Sequence, residues 1–415
     1  MKYALALAIA FALFFPCAAG AITIDTVPIG NPGNPGRVQS GVAGIYGAVS
    51  TNYRIATTEV TNAQYVSFLN SVAASDPNAL YDTNMGFTSR GGINRAGSSG
   101  SYTYSVKPDV AGGGPGGMNY TYGDKPVVFV SWYDAARFAN WVNNGATASA
   151  STETGAYTMS SGVTVSRNAN ATWFLPTENQ WYKAAYYDGT AGVYYDYPTR
   201  SNTAPNNNIP PNDSGNSANY FAGAFTQQES YPFTSAGAYA LSKSPYGTAD
   251  QGGNVWEWTE TFGSNANGTT NTSLRIRRGG AFDTDATMLN SAYREGMSTG
   301  LENEETGFRL ATIAGLLGDY NANNVVDAGD YVLWRNYLDQ SVTLPNDSTP
   351  GTVTAADYDV WRANFGQTPS GSGSGSLLNT SVPEPATMPL IVAFIAAVLF
   401  CGMSPWALRT RIVRG

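Results

Sequence analysis

The 415-residue chain contains no histidine and only two cysteines, Cys17 and Cys401. The first absence removes the commonest general base and the usual protein ligand of zinc, iron and copper. Both cysteines fall inside apolar terminal stretches, so everything between them lacks a thiol and a disulfide. Charge is also sparse: 22 Lys and Arg against 30 Asp and Glu leave a net charge of -8. Nucleic-acid phosphates demand clustered basic residues, which this chain does not offer. Abundant Gly, Tyr and Trp with little charge suit a rigid, loop-rich extracellular domain. The length allows two or three domains, one of them with a large core.

Residues 1–21 carry Lys2, an apolar run over 4–15 and small residues at Ala19, Gly20 and Ala21, the layout of a secretory signal peptide. Pro16 stands before Cys17 where a lipoprotein anchor needs a small residue. At the other end, residues 368–381 are rich in Gly and Ser and predict a flexible linker. Val382-Pro383-Glu384-Pro385 follows, then an apolar run over 388–408 and a basic end with Arg409, Arg411 and Arg414. Such a run can span a membrane, and arginines behind it hold the tail in the cytoplasm. Residues 382–415 resemble a PEP-CTERM sorting signal, which implies an exosortase-type processing enzyme as partner and a temporary span. An ordinary single-span anchor is the alternative. Both place the bulk of the chain outside the inner membrane, at the cell surface or extracellular, anchored transiently or permanently by its C-terminus.

The stretch that organises the centre is 246–260, Y-G-T-A-D-Q-G-G-N-V-W-E-W-T-E. At strand period, Trp256 and Trp258 share one face and Glu257 points to the other. A carboxylate between two large aromatics needs a partner. Gly252 and Gly253 permit a tight turn, so that carbonyls beside Glu257 and Asp250 can converge on a hard cation such as calcium. A plain turn into an aromatic core strand fits equally.

Helix starts repeat along the chain. Strand residues 53–60 run into Thr61, with Gln64 three later and Tyr65, Phe68, Leu69 and Val72 at helical spacing. Strand 127–130 leads to Ser131 with Asp134, then Trp132, Ala135, Phe138, Trp141 and Val142 inward. After 173–175, Thr177 and Gln180 form a third box. These are scaffold, and Glu59 before the first cap reads as structural. Residues 75–123 form a long loop region with a hairpin, and 188–250 a second one. Loops this long are functional or tied down by ions.

The Gly-Asn-Val-Trp-Glu-Trp stretch resembles the signature of the formylglycine-generating, or sulfatase-modifying factor, family. Further blocks recur in order: 126–132 (P-V-V-F-V-S-W), 175–180 (L-P-T-E-N-Q), 278–280 (R-G-G) and 307–309 (G-F-R). The resemblance spans 22–313 and implies an α+β, C-type-lectin-like fold with few helices, short strands and long loops. It implies one structural calcium site at Asn219, the Tyr220 carbonyl, Glu229 and the Tyr231 carbonyl, with Glu229 replacing the family's Asp. A second would use Asp250, Glu257 and the carbonyls of Gly253 and Val255. Arg309 would be buried and paired. The family's oxidase carries a Ser after Gly-Gly and two copper-binding cysteines; here those positions are Ala281, Thr284 and Leu289. A sister branch needs three histidines for iron. Neither copper nor iron is expected, because copper(I) requires soft thiolates.

Left in the candidate ligand cleft are Asp283, Asp285, Tyr293, Arg294 and Glu295. A carboxylate pair could do acid/base work, although a solvated or ion-binding loop is the plainer reading. Residues 316–367 hold a separate pattern: Asp319, Asn321, Asn323, Asp327 and Asp330 place oxygens as an EF-hand-like calcium loop does, with the Val325 carbonyl between. A repeat shifted by 27 residues matches Asp330, Tyr331, Trp334 and Arg335 to Asp357, Tyr358, Trp361 and Arg362. This pair resembles a type I dockerin, which implies a small α-helical module and a cohesin-like or polysaccharide partner. In the second loop Ser348, Pro350 and Thr354 supply too few carboxylates for tight calcium. The expected function is a calcium-stabilised binding or assembly module. A formylglycine-type oxidase with unfamiliar residues and a hydrolase built on Asp283, Asp285 and Glu295 are the alternatives.

Overall fold

The computed structural model describes residues 22–368, apart from 40–43, 266–267, 314, 322, 324, 343 and 348–350. The signal peptide, the linker from residue 369 onward, the sorting tail, Cys17, Cys401, Asn324, Ser348 and Pro350 lie outside the described residues. The chain divides into two units, one ending at residue 314 and one starting at 315.

In the first unit, the three expected boxes start the three long helices, Asn62–Val72, Trp132–Asn143 and Glu178–Tyr186. In each, the cap hydroxyl accepts the third residue's N–H while that residue's side chain accepts the cap N–H, so two otherwise unpaired donors are satisfied. The inner faces of the first two meet through aromatics, while the third packs Trp181, Tyr182 and Tyr186 in a separate cluster with Tyr46. Phe68, Phe138 and Trp141 pack with ring centroids 5.3–5.6 Å apart, and Phe138 meets Phe308 edge-on at 5.3 Å. Each such ring contributes about 1.5–3 kcal/mol by leaving water.

Two four-stranded sheets carry the rest of the first core. One orders Thr26–Ile29, Tyr53–Ala56, Ala311–Ile313 and Trp173–Phe174, all antiparallel, so the start and end of the unit share one sheet. The other orders Glu295–Ser298, Thr270–Arg278, Trp256–Ser264 and Thr306–Phe308, the last pairing in parallel. The strand expected at 127–130 does not form. Phe129 sits at φ 61°, and the Val127 and Phe129 N–H groups go to the Val60 and Asn303 carbonyls, so no ladder can run. The first long loop holds the hairpin Ile93–Ala96 with Thr103–Val106. The second is fixed by side chains: Asp213, for example, accepts from the Ser242 hydroxyl and from the Leu241 and Ser242 N–H groups.

The second unit pairs helices Ala328–Tyr337 and Ala355–Asn364 around Tyr320, Val326, Trp334, Leu344, Val353 and Trp361. The sequence repeat becomes a reciprocal contact. The Trp334 indole donates to the carbonyl of Thr354, the cap of the second helix, and the Trp361 indole to that of Asp327, the cap of the first.

Asp134 is 3% exposed, and burial pushes its carboxyl up to about 6. Beside it, desolvation and the charges of Asp134 and Asp82 push Glu302 up to about 8. Free carboxyls titrate near pH ~4, so the folded state holds both protons more tightly than the unfolded chain. This stability is full below about pH 4 and is lost as the pH rises through both raised values. The melting temperature should therefore fall from about pH 5 to about pH 8, and Asp134→Asn, which keeps a cap acceptor, should shrink that slope in a circular-dichroism scan. Ser131→Ala, which removes the cap hydroxyl, should cost about 1 kcal/mol in chemical denaturation.

Candidate functional site

Strand Trp256–Ser264 begins with three buried side chains, Trp256, Glu257 and Trp258, at 1%, 0% and 0% exposure. Its two faces are both covered, which is why alternation here sets Glu257 against a partner rather than against water. That partner is Arg309, itself fully buried. The guanidinium meets both Glu257 oxygens at 2.6 Å and donates further to the carbonyls of Ala56, Thr57 and Ala249. The Trp181 indole donates to Glu257 Oε2 at 2.8 Å. Both oxygens of Glu257 are thereby used.

Around this pair lie more buried polar groups. The Asn254 amide donates to Glu59 Oε1 at 2.9 Å, and Asn254 Oδ1 accepts from the Asn219 amide at 3.0 Å. Two oxygens at the ends of this chain, Glu59 Oε2 and Asn219 Oδ1, are buried without a partner. Asp250, at φ 59°, accepts the Gly237 N–H at 2.5 Å. Burial raises its carboxyl to about 6, and burial with the Asp250 charge raises Glu59 well above the usual carboxylate range. A cavity of about 10 Å3 adjoins Asp250, lined by Thr199, Ser217, Tyr239 and Ser242 among others, with room for at most one water. Gly253 has no substitute: its φ is +80°, and a Cβ would lie 2.1 Å from the Asn219 carbonyl oxygen.

The residues of the first expected calcium set are placed unevenly. Asn219 is 1% exposed. The Tyr220 carbonyl accepts from the Thr226 hydroxyl, and the Tyr231 ring packs on Tyr120 at 5.2 Å. Glu229 lies on the exposed turn closed by Tyr231 N–H to the Gln228 carbonyl. Gln227, which the sequence reading passed over, has a buried Oε1 without a partner. In a Gln-Gln-Glu run on a turn, only the fold decides which side chain goes inward. Among the described residues, no three His, Cys, Asp or Glu side chains stand close enough to hold a metal ion by themselves. Any cation in these loops must draw on amide and carbonyl oxygens as well.

The candidate cleft is partly dispersed. Ala281 and Leu289 are fully buried, and Thr284 is closed into a turn in which its hydroxyl exchanges hydrogen bonds with the Ala281 backbone. Asp285 caps the four-residue helix Ala286–Leu289, and its bonds to Thr287 hold its carboxyl below the usual value. Arg294 turns to Glu178, whose carboxylate it shares with Arg278 at 2.6–2.8 Å. Burial works against ionising Glu178, but Arg294 and Arg278 together hold its carboxyl low. Glu295 pairs with Arg277, which also reaches Glu305 at 2.9 Å and stacks over Trp256. Tyr293 packs on the same Trp256 ring at 5.8 Å. Asp283 is raised by crowding and by the Glu305 charge, with Arg90 and Glu304 close by. The structure therefore brings Asp283 together with Glu305 and separates it in role from Asp285 and Glu295. Glu178 lies inside the family block 175–180 but was not singled out, and Arg277 and Glu305 carried no sequence signal beyond lying near family blocks.

In the second unit, Asp319 and Asp330 are fully buried. Asp319, Asn321, Asn323, Asp327 and Asp330 each accept a backbone N–H of the same loop, at 2.7–3.0 Å. The Asn346 amide donates to the Asp319 carbonyl at 2.9 Å. Among the described residues, no helix is long and apolar enough to cross a membrane.

Truncating Arg309 would leave Glu257 buried without a counter-charge. Arg309→Leu should cost at least about 3–5 kcal/mol or prevent folding, whereas Arg294→Leu, which leaves Glu178 its bond to Arg278, should cost clearly less; urea titration compares the two.

No curated protein matches the chain. Among solved structures it is similar to Treponema denticola variable protein 1, at 19% identity over 71% of this chain and 97% of that one, TM-score 0.44. It is similar to CarF at 18% identity, over 70% of this chain and 98% of that one, TM-score 0.41. A third is PvdO from Pseudomonas aeruginosa, at 16% identity over 70% and 92%, TM-score 0.37. The family model of the sulfatase-modifying factor enzyme 1-like domain matches residues 44–314, most of the chain, and the protein belongs to that family.

Proposed function

We propose that the protein is an exported binding or assembly module that keeps the sulfatase-modifying factor scaffold without its oxidase chemistry. One observation carries this reading: the positions of the two metal-binding thiols hold Thr284 and Leu289, the residue after Gly-Gly is Ala281, and no cysteine occurs between Cys17 and Cys401. Copper(I) bound by thiolates and iron bound by imidazoles are both out of reach of such a chain. What the scaffold retains is a set of long loops rich in Tyr, Ser, Asn and Gly, residues that provide contact area and adaptable hydrogen bonds at low entropic cost. Polysaccharide is the ligand class such loops suit.

Calcium is the proposed structural ion. One site would be built on Asn219 with the Tyr220 and Tyr231 carbonyls and Glu229 or its neighbour Gln227. A second would be built on Asp250 with the Gly253 and Val255 carbonyls. A third would lie in the loop from Asp319 to Asp330. Buried oxygens without partners at Asn219, Gln227 and Glu59 support the first two, because a hard cation seeks such oxygens. The ion would cross-link loops where other exported domains use disulfides. The dockerin-like pair would dock a cohesin-like or polysaccharide partner, and the sorting tail would hand the chain to an exosortase-type enzyme at the inner membrane.

The test uses the full chain with copper(I), oxygen and a sulfatase-derived Cys peptide, read by mass spectrometry. No formylglycine above a no-protein control is the expected result; product would overturn the binding-module reading. In the same preparation, calcium should raise the melting temperature over an EGTA-treated sample, and coincident curves would remove calcium from the proposal.

A further inference from the structure

Residues 299–305 run past the start of the helix Trp132–Asn143. The Trp132 N–H donates to the Thr299 carbonyl, the Phe129 N–H to that of Asn303 and the Trp256 N–H to that of Glu305. Between these ties stands Glu302, an exposed residue whose carboxyl nevertheless reaches the carboxyls of both Asp82 and Asp134. Asp134 is fixed there as the third residue of its helix, its Oδ2 accepting the Ser131 N–H and hydroxyl. Asp82 is fixed by the Asn84 N–H, which it accepts at 2.7 Å. Ionised carboxylates only accept hydrogen bonds, so two of them can bond to each other only while one carries a proton.

The surrounding charges do not relieve this crowding. Arg137 acts on Asp134 but is paired with Glu153 at 2.7 Å. Tyr65 faces the same groups from the first long helix, with its hydroxyl donating to the Leu80 carbonyl. Asp76, which also acts on Tyr65, stands 3.6 Å from Arg95. Fully ionised, the three carboxylates would crowd together beside cations that other carboxylates already hold. Burial holds Asp134 up at about 6, and burial with the charges of Asp134 and Asp82 holds Glu302 up at about 8. Of the three, Glu302 can turn to water, because it is exposed, whereas Asp134 is buried in its cap. The segment carries a second cost: Asn303 keeps a buried Oδ1 without a hydrogen-bond partner, which the closed arrangement must bear. Just beyond, Glu304 pairs with Arg90 and Glu305 with Arg277, beside Asp283 of the candidate cleft.

We propose that Asp82, Asp134 and Glu302 form a proton-operated latch that holds residues 299–305 onto the start of the helix Trp132–Asn143 and releases them when Glu302 ionises, freeing Glu304 and Glu305 from their places beside the cleft. The closed form holds the shared protons more tightly than the open form, so closure is strongest below about pH 4 and is lost as the pH rises through both raised values. The experiment follows hydrogen exchange of the full chain by mass spectrometry at about pH 5.5 and about pH 8.5, in the parent, Glu302→Gln and Asp82→Asn. Each variant is compared with the parent at the same pH, so that intrinsic exchange cancels. At the higher pH, peptides covering 127–133 and 298–306 should exchange about tenfold faster in the parent than in Glu302→Gln, the equivalent of one unit of raised acidity constant. At the lower pH the two should agree, because the parent's latch is then protonated. Asp82→Asn, which keeps an acceptor for the Asn84 N–H, should lie between them at the higher pH. Peptides covering 53–56 and 311–313, in the other sheet, should match throughout. Equal exchange of the parent and Glu302→Gln at the higher pH would overturn the latch. A difference shared equally by 53–56 and 311–313 would overturn it too, because the triad would then act on global stability alone. Weaker protection of Glu302→Gln at both pH values would make the carboxyl a structural contact without proton control.

Discussion

The Glu257–Arg309 pair is the interaction on which the first unit is assembled. Taking both charges out of water costs several kcal/mol per ion, and the cost is offset because one guanidinium collects two carboxylate oxygens and three carbonyls. Those carbonyls belong to Ala56, Thr57 and Ala249, while Glu257 sits on the central strand and is gripped by Trp181 from a helix. One buried pair thus ties both sheets, a long loop and a helix together.

The same economy recurs at smaller scale. Glu178 gathers Arg278 and Arg294, Arg277 gathers Glu295 and Glu305, and Asn254 bridges Glu59 and Asn219. A thiol-free domain with long irregular loops has no covalent staples. Buried polar networks take that role, and because each member must be satisfied to avoid a desolvation penalty, they specify one loop arrangement rather than many. Among the described residues, Glu59, Asn219 and Gln227 keep a buried side-chain oxygen without a hydrogen-bond partner, as do Tyr120, Tyr239 and Asn303.

The match to the sulfatase-modifying factor family rests on the scaffold, and no cysteine occurs between Cys17 and Cys401. The fold depends on Glu257, Arg309, Gly253 and the aromatic core, all retained here. The positions that the family resemblance assigns to the oxidase's thiols hold Thr284, which closes a turn, and Leu289, which packs against Ala218 and Tyr220.

Local signals were legible in the chain itself. Thr61, Ser131 and Thr177 start helices because a cap needs only residues within three positions, and the repeat of Trp334 and Trp361 was visible as a pattern. Trp256 and Trp258 declared a strand by period alone. The failure at 127–130 came from a left-handed Phe129, whose backbone serves contacts with Val60 and Asn303 that no local pattern contains. Likewise, the family resemblance placed Asp283, Asp285, Tyr293, Arg294 and Glu295 in one cleft. Only tertiary structure sent Arg294 to Glu178 and Glu295 to Arg277, and put the charges of Glu305 and Asp250 within reach of Asp283 and Glu59. The chain by itself determined where the long helices start, since a cap depends on residue type and short spacing. Which charge meets which was decided by the fold, because the burial of a charge depends on distant contacts such as that of Arg309 with the Ala56 carbonyl, at a spacing of 253 residues.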